Sequence, residues 1–548
     1  MATTVSIPLG DYGLRDPRAS GKQLVGCFPV PLDTDAPAGQ SPNPDGKQIA
    51  TLQRMHGIAP LASLLVPGAE DTNVRGFDQM AGLQYVVIGQ TLYFLQEGNV
   101  LTAVPGSQNQ IVHNPAAGTS DFVRMTNNTE CLVILIPGTN MAWSYSPSGG
   151  GFQKMTQSLF LILGAADMWF VDTYIVLLAA TSVTPGAPVD TPTATVEGAS
   201  YTFYNDDGLQ VSGAGQITFT SAASFTREFG TDLFVGGIID HREILLMGSK
   251  TSEGYVNVGA SVGTPFQAAP DSFMHKGCHY LCGYAIAMQD EAPIWVANDL
   301  TVRRRNGQTP IKISTPAIDE FLQTANLFGC YALTPTVDGH PLWVLTVPAS
   351  SRTVVYDCLT QKWFDLESGF NQLGYWRPLC STNWRGLQLV GDSQSPAIGF
   401  LTPTTFAEFY PSFGEPEDEN IAQALQICSF TTQGIYDGNN RITHRRVEVV
   451  MTPGGATGVT GGSSVRQNPL TGASGFYAPQ VELYCSDNGY VFESFTDPVL
   501  LGAQGDYDKR AFWFNLGQAR IRFYRFRVTE PTPLFTVDIQ AELQGGKW

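Results

Sequence analysis

The densest set of metal-type ligands in the chain is His275, Cys278, His279 and Cys282, in SFMHKGCHYLCGY. Cys and His are the usual zinc ligands. Four ligands packed so closely would strain a tetrahedral site, and no matching pair follows downstream, so the spacing speaks against zinc. Asp240, His241 and Glu243 in IIDHREILLMG form a second group, with the residue types of acid–base chemistry. The same types suit a polar turn between two strands, and the turn is the preferred reading. Asp357 in VVYD and Asp392 in VGD read the same way. Ser252 in KTSEGY is not set in a GxSxG elbow, and the chain has neither a Walker A motif nor GxGxxG, so nucleotide chemistry is unsupported. No catalytic residue, cofactor or metal is expected, and the chain is read as a non-enzyme.

Two arginine groups remain. Arg303, Arg304 and Arg305 are the densest basic cluster. A phosphate contact is one reading. A hairpin that meets an acidic neighbouring subunit is preferred, given the charge of the whole chain. Arg520, Arg522, Arg525 and Arg527 in RIRFYRFRV are likewise candidate subunit-interface residues, their apolar stems covering β surface. The first two fall on one strand face and the last two on the other, which predicts a β-bulge near Phe523.

The elements that must position these residues follow from composition and pattern. The chain has 548 residues, a length that suggests three to four domains. Charged residues are only 15%, against about 25% in an average soluble domain, and there are 57 Gly and 35 Pro. With 43% hydrophobic residues a large core is available. A turn-rich, charge-poor chain of this kind points to many short strands. The net charge of −18 argues against a general nucleic-acid binder, though not against a protein that meets DNA briefly without holding it. The nine cysteines are odd in number, scattered and often inside apolar runs, which reads as buried free thiols in a reducing compartment. The start MATTVSIPLGDYG lacks a basic stretch followed by an apolar core, so no secretory signal is expected.

Residues 1–68 lack clear periodicity and are read as an extended arm or irregular layer that packs on the rest. Over 69–410 short apolar strands recur between Gly, Asn, Asp and Pro turns, among them YVVIG, CLVILI, TYIVLLA, EILLMG, LWVLTV and LQLVG. A weak unit repeats, in which a strand ends, a polar turn follows and an aromatic opens the next strand; VVYDCLTQKWFDLE (354–367) is the clearest copy. Such hairpins at this spacing predict a β-propeller of six or seven blades. One short helix is expected in TPAIDEFLQTAN (315–326), with Thr315 as N-cap before Pro316. Residues 183–228 look like an insertion or an irregular blade edge, and PSFGEPEDEN (411–420) like a linker. The strands of 411–548 predict a C-terminal β-sandwich, with the Gly-rich loop 452–475 inside it. The apolar run 159–181 is long enough for a bilayer, but Asp167 and Asp172 near its middle cancel the gain. Two buried strands around a turn at 164–167 fit better, and no membrane span is expected.

Three stretches together resemble the tail hub proteins of short-tailed bacteriophages, the nozzle or packaged-DNA stabilisation family. They are TDLFVGGIIDHREILLMGSKTSEGYVNVG (231–259) with PFQAAPDSFMHKGC (265–278); GHPLWVLTVPASSRTVVYDCLTQKWFDLES (339–368) with LQLVGDSQSPAIGFL (387–401); and ELYCSDNGYVFESF (482–495) with DKRAFWFNLGQARIRFYRFRV (508–528). Where the family often carries a fuller tryptophan-rich stretch, this chain has FTSAASFTREFG (219–230). The resemblance implies a homo-oligomeric ring, usually a hexamer, below the portal and its adaptor. Its propellers project from a central platform made by the arm and the C-terminal domain. The ring would continue the channel through which double-stranded DNA passes, help retain the packaged genome, and present sites for fibre, spike or needle proteins. It would be a component of the virion tail, assembled in the host bacterial cytoplasm. The family brings no catalytic residue.

Two other classes compete. A propeller-type glycan hydrolase or lyase would place carboxylates around the propeller mouth, a retaining hydrolase needing two about 5 to 5.5 Å apart. A carbohydrate-binding surface protein would use some of the 20 Tyr and nine Trp, which blade packing also uses. Ring assembly on a portal complex favours the tail reading; turnover or sugar binding by the monomer favours the others.

Overall fold

The computed structural model describes residues 3–6, 23–31, 50–63, 73–96, 98–114, 120–156, 164–180, 201–205, 219–259, 264–369, 374–411, 421–438, 440–451, 466–467, 474–475, 480–495, 497–501, 510–528 and 535–545. Among these residues the chain is nearly all β, as its composition predicts. Seven four-stranded antiparallel units succeed one another. The first is Val74–Met80, Leu83–Ile88, Thr91–Leu95 and Leu101–Ala103; the second Arg124–Asn127, Leu132–Leu135, Ala142–Ser146 and Gly151–Lys154. The third is Ala165–Val171, Tyr174–Ala179, Tyr201–Asn205 and Phe219–Thr226; the fourth Phe234–Asp240, Glu243–Gly248, Ser252–Asn257 and Phe266–Met274. The fifth is Ala287–Gln289, Ala292–Val296, Val302–Arg304 and Ile311–Lys312; the sixth Tyr331–Leu333, His340–Val347, Arg352–Asp357 and Lys362–Leu366. The seventh takes Pro378–Trp384, Leu387–Asp392 and Ala397–Thr402 from one stretch of chain and its fourth strand, Gly57–Ser63, from the N-terminal region.

The second strand of each unit explains the stacking. Strand residues alternate between faces, and here both faces are apolar. Ile244 and Leu246 join a core with Leu177 of the third sheet, while Leu245 and Met247 join one with Trp295 of the fifth. Leu132 and Ile134 face the first sheet as Val133 and Leu135 face the third. First strands of neighbouring units pack side by side from the first unit to the fifth and from the sixth to the seventh, and Pro378–Trp384 of the seventh packs on Val74–Met80 of the first. Close approach of the first and second units requires glycine at Gly76, where a Cβ would stand 2.9 Å from the Val123 carbonyl oxygen.

The described residues of the N-terminal region are strands. Besides Gly57–Ser63 it supplies Thr3–Ser6, Cys27–Pro31 and Ala50–Arg54 to a seven-stranded sheet with Ile442–Met451, Ala511–Phe514, Gln518–Ala519 and Phe535–Gly545. It also supplies Gln23–Val25, which pairs in parallel with Lys362–Leu366 on one side and antiparallel with Cys428–Thr431 on the other. The sixth sheet thereby continues into Cys428–Thr431, Ile521–Val528, Gln480–Ser486 and Glu493–Ser494. One core holds Leu24, Phe28 and Leu52 together with Phe364 of the sixth sheet, Val390 of the seventh, and Val447, Leu483, Phe526 and Ile539. These strands left no hairpin signal because every partner except one lies hundreds of residues away.

Several local expectations need correction. The turn expected at 164–167 lies instead at Asp172–Thr173, between Ala165–Val171 and Tyr174–Ala179, because Asp172 takes the left-handed conformation (φ 53°) and Asp167 is tolerated inside the strand by an ion pair. Residues 201–205 and 219–226, expected in an insertion or an irregular blade edge, are the outer two strands of the third sheet, paired with a register shift between Phe203 and Asn205; 181–200 and 206–218 lie outside the described residues. The strands flanking the expected linker, Ala407–Pro411 and Ile421–Leu425, pair with each other; 412–420, like most of the loop 452–475, lie outside the described residues. Against Gln480–Ser486 the register runs unbroken from Phe523 to Arg527, but on the other side the pairing slips by one residue opposite Phe523, between Thr431↔Arg525 and Ile435↔Arg522, so the extra residue of the expected bulge lies in the neighbouring segment and not in this strand. The helix is Pro316–Thr324 with Thr315 at its N-cap, but the Thr315 side chain makes no cap bond; its carbonyl accepts from the Asp319 N–H. All nine cysteines are free, and all but Cys380 are fully buried.

Candidate functional site

The inner strands enclose a cavity of about 320 Å³, lined by Phe77, Met125, Met168, Ile238, Ala287, Leu333 and Ser381, one from each of the seven units in turn. Inside it Arg124 Nε lies 3.1 Å from Asp167 Oδ1. The guanidinium is flanked by the rings of Phe122 and Tyr284, each 5.5 Å away, an arrangement favourable to a cation. Burial pushes the Asp167 carboxyl up, and Arg124 opposes that shift.

At each junction between units a polar contact crosses. Gln79 donates to the Asn383 carbonyl between the first and seventh. Asn127 donates to Asp78 Oδ2 at 2.9 Å between the second and first. Arg124–Asp167 joins the second and third, and Arg242–Asp172, at 2.7 Å, the third and fourth. Arg305 reaches both Asp240 and Glu243 between the fifth and fourth. Gln289 donates to the Leu342 carbonyl at 2.7 Å between the fifth and sixth, and Tyr331 to the Pro378 carbonyl at 2.9 Å between the sixth and seventh.

Asp240, His241 and Glu243 do form the expected hairpin turn, with His241 in the left-handed region (φ 57°). They line an open cleft of about 660 Å³ with Asp172, Arg242, Glu291 and Arg305. His241 Nδ1 is 2.7 Å from Asp240 Oδ1, and Arg305 Nη2 is 2.9 Å from Glu243 Oε2. Two carboxylates are therefore held by one guanidinium, an arrangement that ties two sheets together.

The other arginines of the cluster are also engaged within the chain: Arg303 with Asp299 at 2.9 Å and Arg304 with Asp290 at 2.7 Å. Asp299 is shared with Lys276 at 2.7 Å. Burial alone would push its carboxyl up, but Lys276, Thr301 and Arg303 outweigh this and hold it well below the usual range. Arg520 is exposed, whereas Arg522 points inward on the face of Tyr524 and Phe526, with Nε 2.8 Å from Asp487 Oδ1. Arg525 donates from Nε to Thr431 Oγ1 at 3.1 Å and lies over Phe492 at 3.9 Å. Arg527 stands in register between Ser429 and Glu482.

The cysteine and histidine group disperses. His275 packs edge-on against Phe273, and the Cys282 thiol faces Cys330 Sγ at 3.4 Å and His279 Nδ1 at 3.6 Å. Among the described residues no group of three or more His, Cys, Asp or Glu side chains is arranged to hold a metal ion. Ser252 donates to the Lys276 carbonyl at 2.8 Å. Asp357 organises a turn through His340, Leu359 and Thr360, and Asp392 is buried against Arg377 and Ser395. Sequence reasoning missed Arg75, whose fully buried guanidinium binds Asp121 at 2.9 Å and the carbonyls of Gly89, Ile111 and Val112. Lone arginines with distant backbone partners leave no local pattern. No helix among the described residues is long and apolar enough to cross a membrane.

A family model described as phage stabilisation, "Bacteriophage P22 Gp10, beta-propeller", matches residues 209–406, which take in the last strand of the third unit, the whole of the fourth to sixth, and the first three strands of the seventh. No curated protein matches. Solved structures that resemble the chain include the extracellular domain of a protein described as a hybrid two component system from B. thetaiotaomicron, at 10% identity and a TM-score of 0.38, over 71% of this chain and 45% of that one. They also include YCF48 from Cyanidioschyzon merolae, at 9% identity and 0.35, over 63% and 99%. A third is PorZ of the Porphyromonas gingivalis type-IX secretion system, at 9% and 0.33, over 71% and 44%. The chain thus spans less than half the length of the first and third. No function is carried over from any of the three.

Proposed function

We propose that this chain is a structural, non-enzymatic component of a phage virion tail. The observation that carries the reading is the match of residues 209–406 to the phage stabilisation family. The seven four-stranded units, each in polar contact with the next and the seventh with the first, are read as the blades of a seven-bladed propeller. The seven-stranded sheet and the continuation of the sixth are read as a β-sandwich platform over 411–548, threaded by an N-terminal arm over 1–68.

In this role the chain forms a ring, six copies in our reading, that continues the DNA channel below portal and adaptor. It helps retain packaged DNA and anchors fibre, spike or needle proteins. A net charge of −18 suits a channel wall that duplex DNA slides past without sticking. Rings of this kind are heterologous assemblies that close only when the subunit rotation is right, and obligate ones bury roughly 2,000 to 5,000 Å2.

Native mass spectrometry of the purified protein, alone and with a portal–adaptor complex, tests the reading. A six-copy ring on that complex is the expected result. A stable monomer that ignores the complex overturns it.

A further inference from the structure

The stretch His275–Cys282 disperses as a ligand group, yet it delivers one thiol to a distant partner. Cys282 Sγ lies 3.4 Å from Cys330 Sγ, across 48 positions of the chain. Both side chains are completely buried in one apolar core with Trp295, Leu322 and Trp343. We propose that this pair is a disulfide site, closed by a small peroxide, that fastens the fifth unit to the sixth.

The place of the pair in the fold gives the bond its consequence. Cys282 immediately precedes the short turn Gly283–Ala285, and Cys330 immediately precedes Tyr331–Leu333, the first strand of the sixth unit. Among the described residues, the first strands of the fifth and sixth units touch least of all neighbouring pairs. Gly283–Ala285 instead lies against Phe234–Asp240 of the fourth unit and against Tyr331–Leu333. A bond from Cys282 to Cys330 would fasten the junction that strand packing holds least. It would also close a loop containing the whole fifth unit and the helix Pro316–Thr324. A cross-link of this kind stabilises mainly by restricting the unfolded chain, and more so for a long loop.

The surroundings of Cys282 supply a proton acceptor. The Leu281 N–H donates to His279 Nδ1 at 3.4 Å, which puts the lone pair of that nitrogen on this side, and Cys282 Sγ stands 3.6 Å from the same atom. His279 is thereby placed to take the thiol proton. The neighbouring Cys330 thiol, and then burial, push the Cys282 thiol well up, so oxidation is slow. Burial also shuts out bulky oxidants and leaves small ones such as hydrogen peroxide. The Cys282 thiolate attacks one peroxide oxygen and the O–O bond breaks, giving a sulfenic acid and hydroxide, which takes the proton from His279 and leaves as water. The Cys330 sulfur then attacks the Cys282 sulfur, and the displaced hydroxyl leaves as water with the Cys330 proton. Two thiols lose two electrons and two protons, and the peroxide is reduced to two waters. A disulfide is about 2 Å long, so the two sulfurs need to close by little more than about 1 Å.

The test takes the whole chain, reduced and then freed of reductant, and treats it with hydrogen peroxide. The product is unfolded, alkylated and cut with chymotrypsin, which cleaves after Tyr280 and so separates Cys278 from Cys282. A peptide pair linked through Cys282 and Cys330 is expected, with Cys278 alkylated. No linked pair at a dose that oxidises methionine, or a link through Cys278 instead, overturns the proposal. In Cys330→Ser the same dose should leave Cys282 as a sulfenic acid that dimedone captures. His279→Gln should slow linking roughly tenfold or more, and an unchanged rate would remove His279 from the reaction. Thermal unfolding of the oxidised chain, before and after a phosphine reductant that opens disulfides but leaves methionine sulfoxide, is the second readout. A higher midpoint before reduction is expected; equal midpoints would show that the bond does not fasten the two units.

Discussion

Arg305 of the fifth sheet holds its Nη2 2.9 Å from Glu243 Oε2 of the fourth, with Asp240 bound by the same guanidinium. All three side chains are largely buried. Arg305→Gln would leave two carboxylates facing each other without the guanidinium that holds both, and breaking such a pair costs about 3 kcal/mol or more. Arg303→Gln, which opens a partly exposed pair in which Asp299 keeps Lys276 as counter-ion, should cost less than about 1 kcal/mol. Urea unfolding of both variants checks the difference; equal losses would show that burial of the Arg305 cluster does not matter.

Gly26 joins the sixth sheet to the C-terminal sheets. It has a φ of 64°, donates its N–H to the Asp365 carbonyl at 2.8 Å and accepts from Met55 N–H at 2.9 Å. A Cβ there would sit 2.1 Å from the Ile427 carbonyl oxygen. Both the conformation and the contact oppose a side chain, so Gly26→Ala should destabilise by more than about 2 kcal/mol. Thermal unfolding reads it directly, and a neutral result would mean that the two sheets are not joined so closely.

His444 is completely buried and shares a 2.7 Å hydrogen bond with the Tyr524 hydroxyl. Burial first, then the Arg522 guanidinium, pushes its imidazole down to about 4, against a weak pull from Asp487. In the unfolded chain the group titrates near its ordinary 6.5. Between those values the unfolded state binds the extra proton, so stability is full above about pH 6.5 and is lost as pH falls toward 4. At about 1.4 kcal/mol per unit the loss reaches about 3 kcal/mol. Urea midpoints of wild type and His444→Gln at pH 7 and pH 4.5 should converge on the acid side. Parallel losses in both proteins would assign the acid sensitivity to other groups.

Removal of residues 1–63 takes a strand from the seventh unit and others from both C-terminal sheets. It also removes Leu24, Phe28, Leu52, Met55 and Ile58, all buried in one core. At about 2 kcal/mol each they contribute about 10 kcal/mol, comparable to the whole stability of a typical domain. The truncated chain should be insoluble on expression. A soluble truncation with cooperative unfolding would show the seven units to be independent of the N-terminal strands.

Much of the fold is legible in local pattern. EILLMG and LWVLTV read as strands because continuous apolar runs between turn residues can only be buried on both faces, and the structure places them as the second strands of the fourth and sixth sheets. The Asp240–Glu243 turn was legible for the same reason, from residue types that accept left-handed or tight turns. Gln23–Val25 and Gly57–Ser63 were not, since their partners come from hundreds of residues along the chain, and neither was Cys27–Pro31, whose partner Ala50–Arg54 is joined to it by no tight turn. Arg522 and Arg525 looked alike in RIRFYRFRV, yet one turns into the core toward Asp487 and the other lies over Phe492 on the opposite face.

By itself, then, the sequence determined the strand type of the chain, its acidity and the positions of most turns, because these depend on side-chain chemistry and on periodicity within a few residues. Tertiary structure alone decided which carboxylate each arginine meets, that the seventh sheet borrows a strand from the N-terminal region, and that the thiols of Cys282 and Cys330 meet. Those outcomes depend on contacts between segments distant in the chain, where no local energy distinguishes one partner from another until the sheets have stacked.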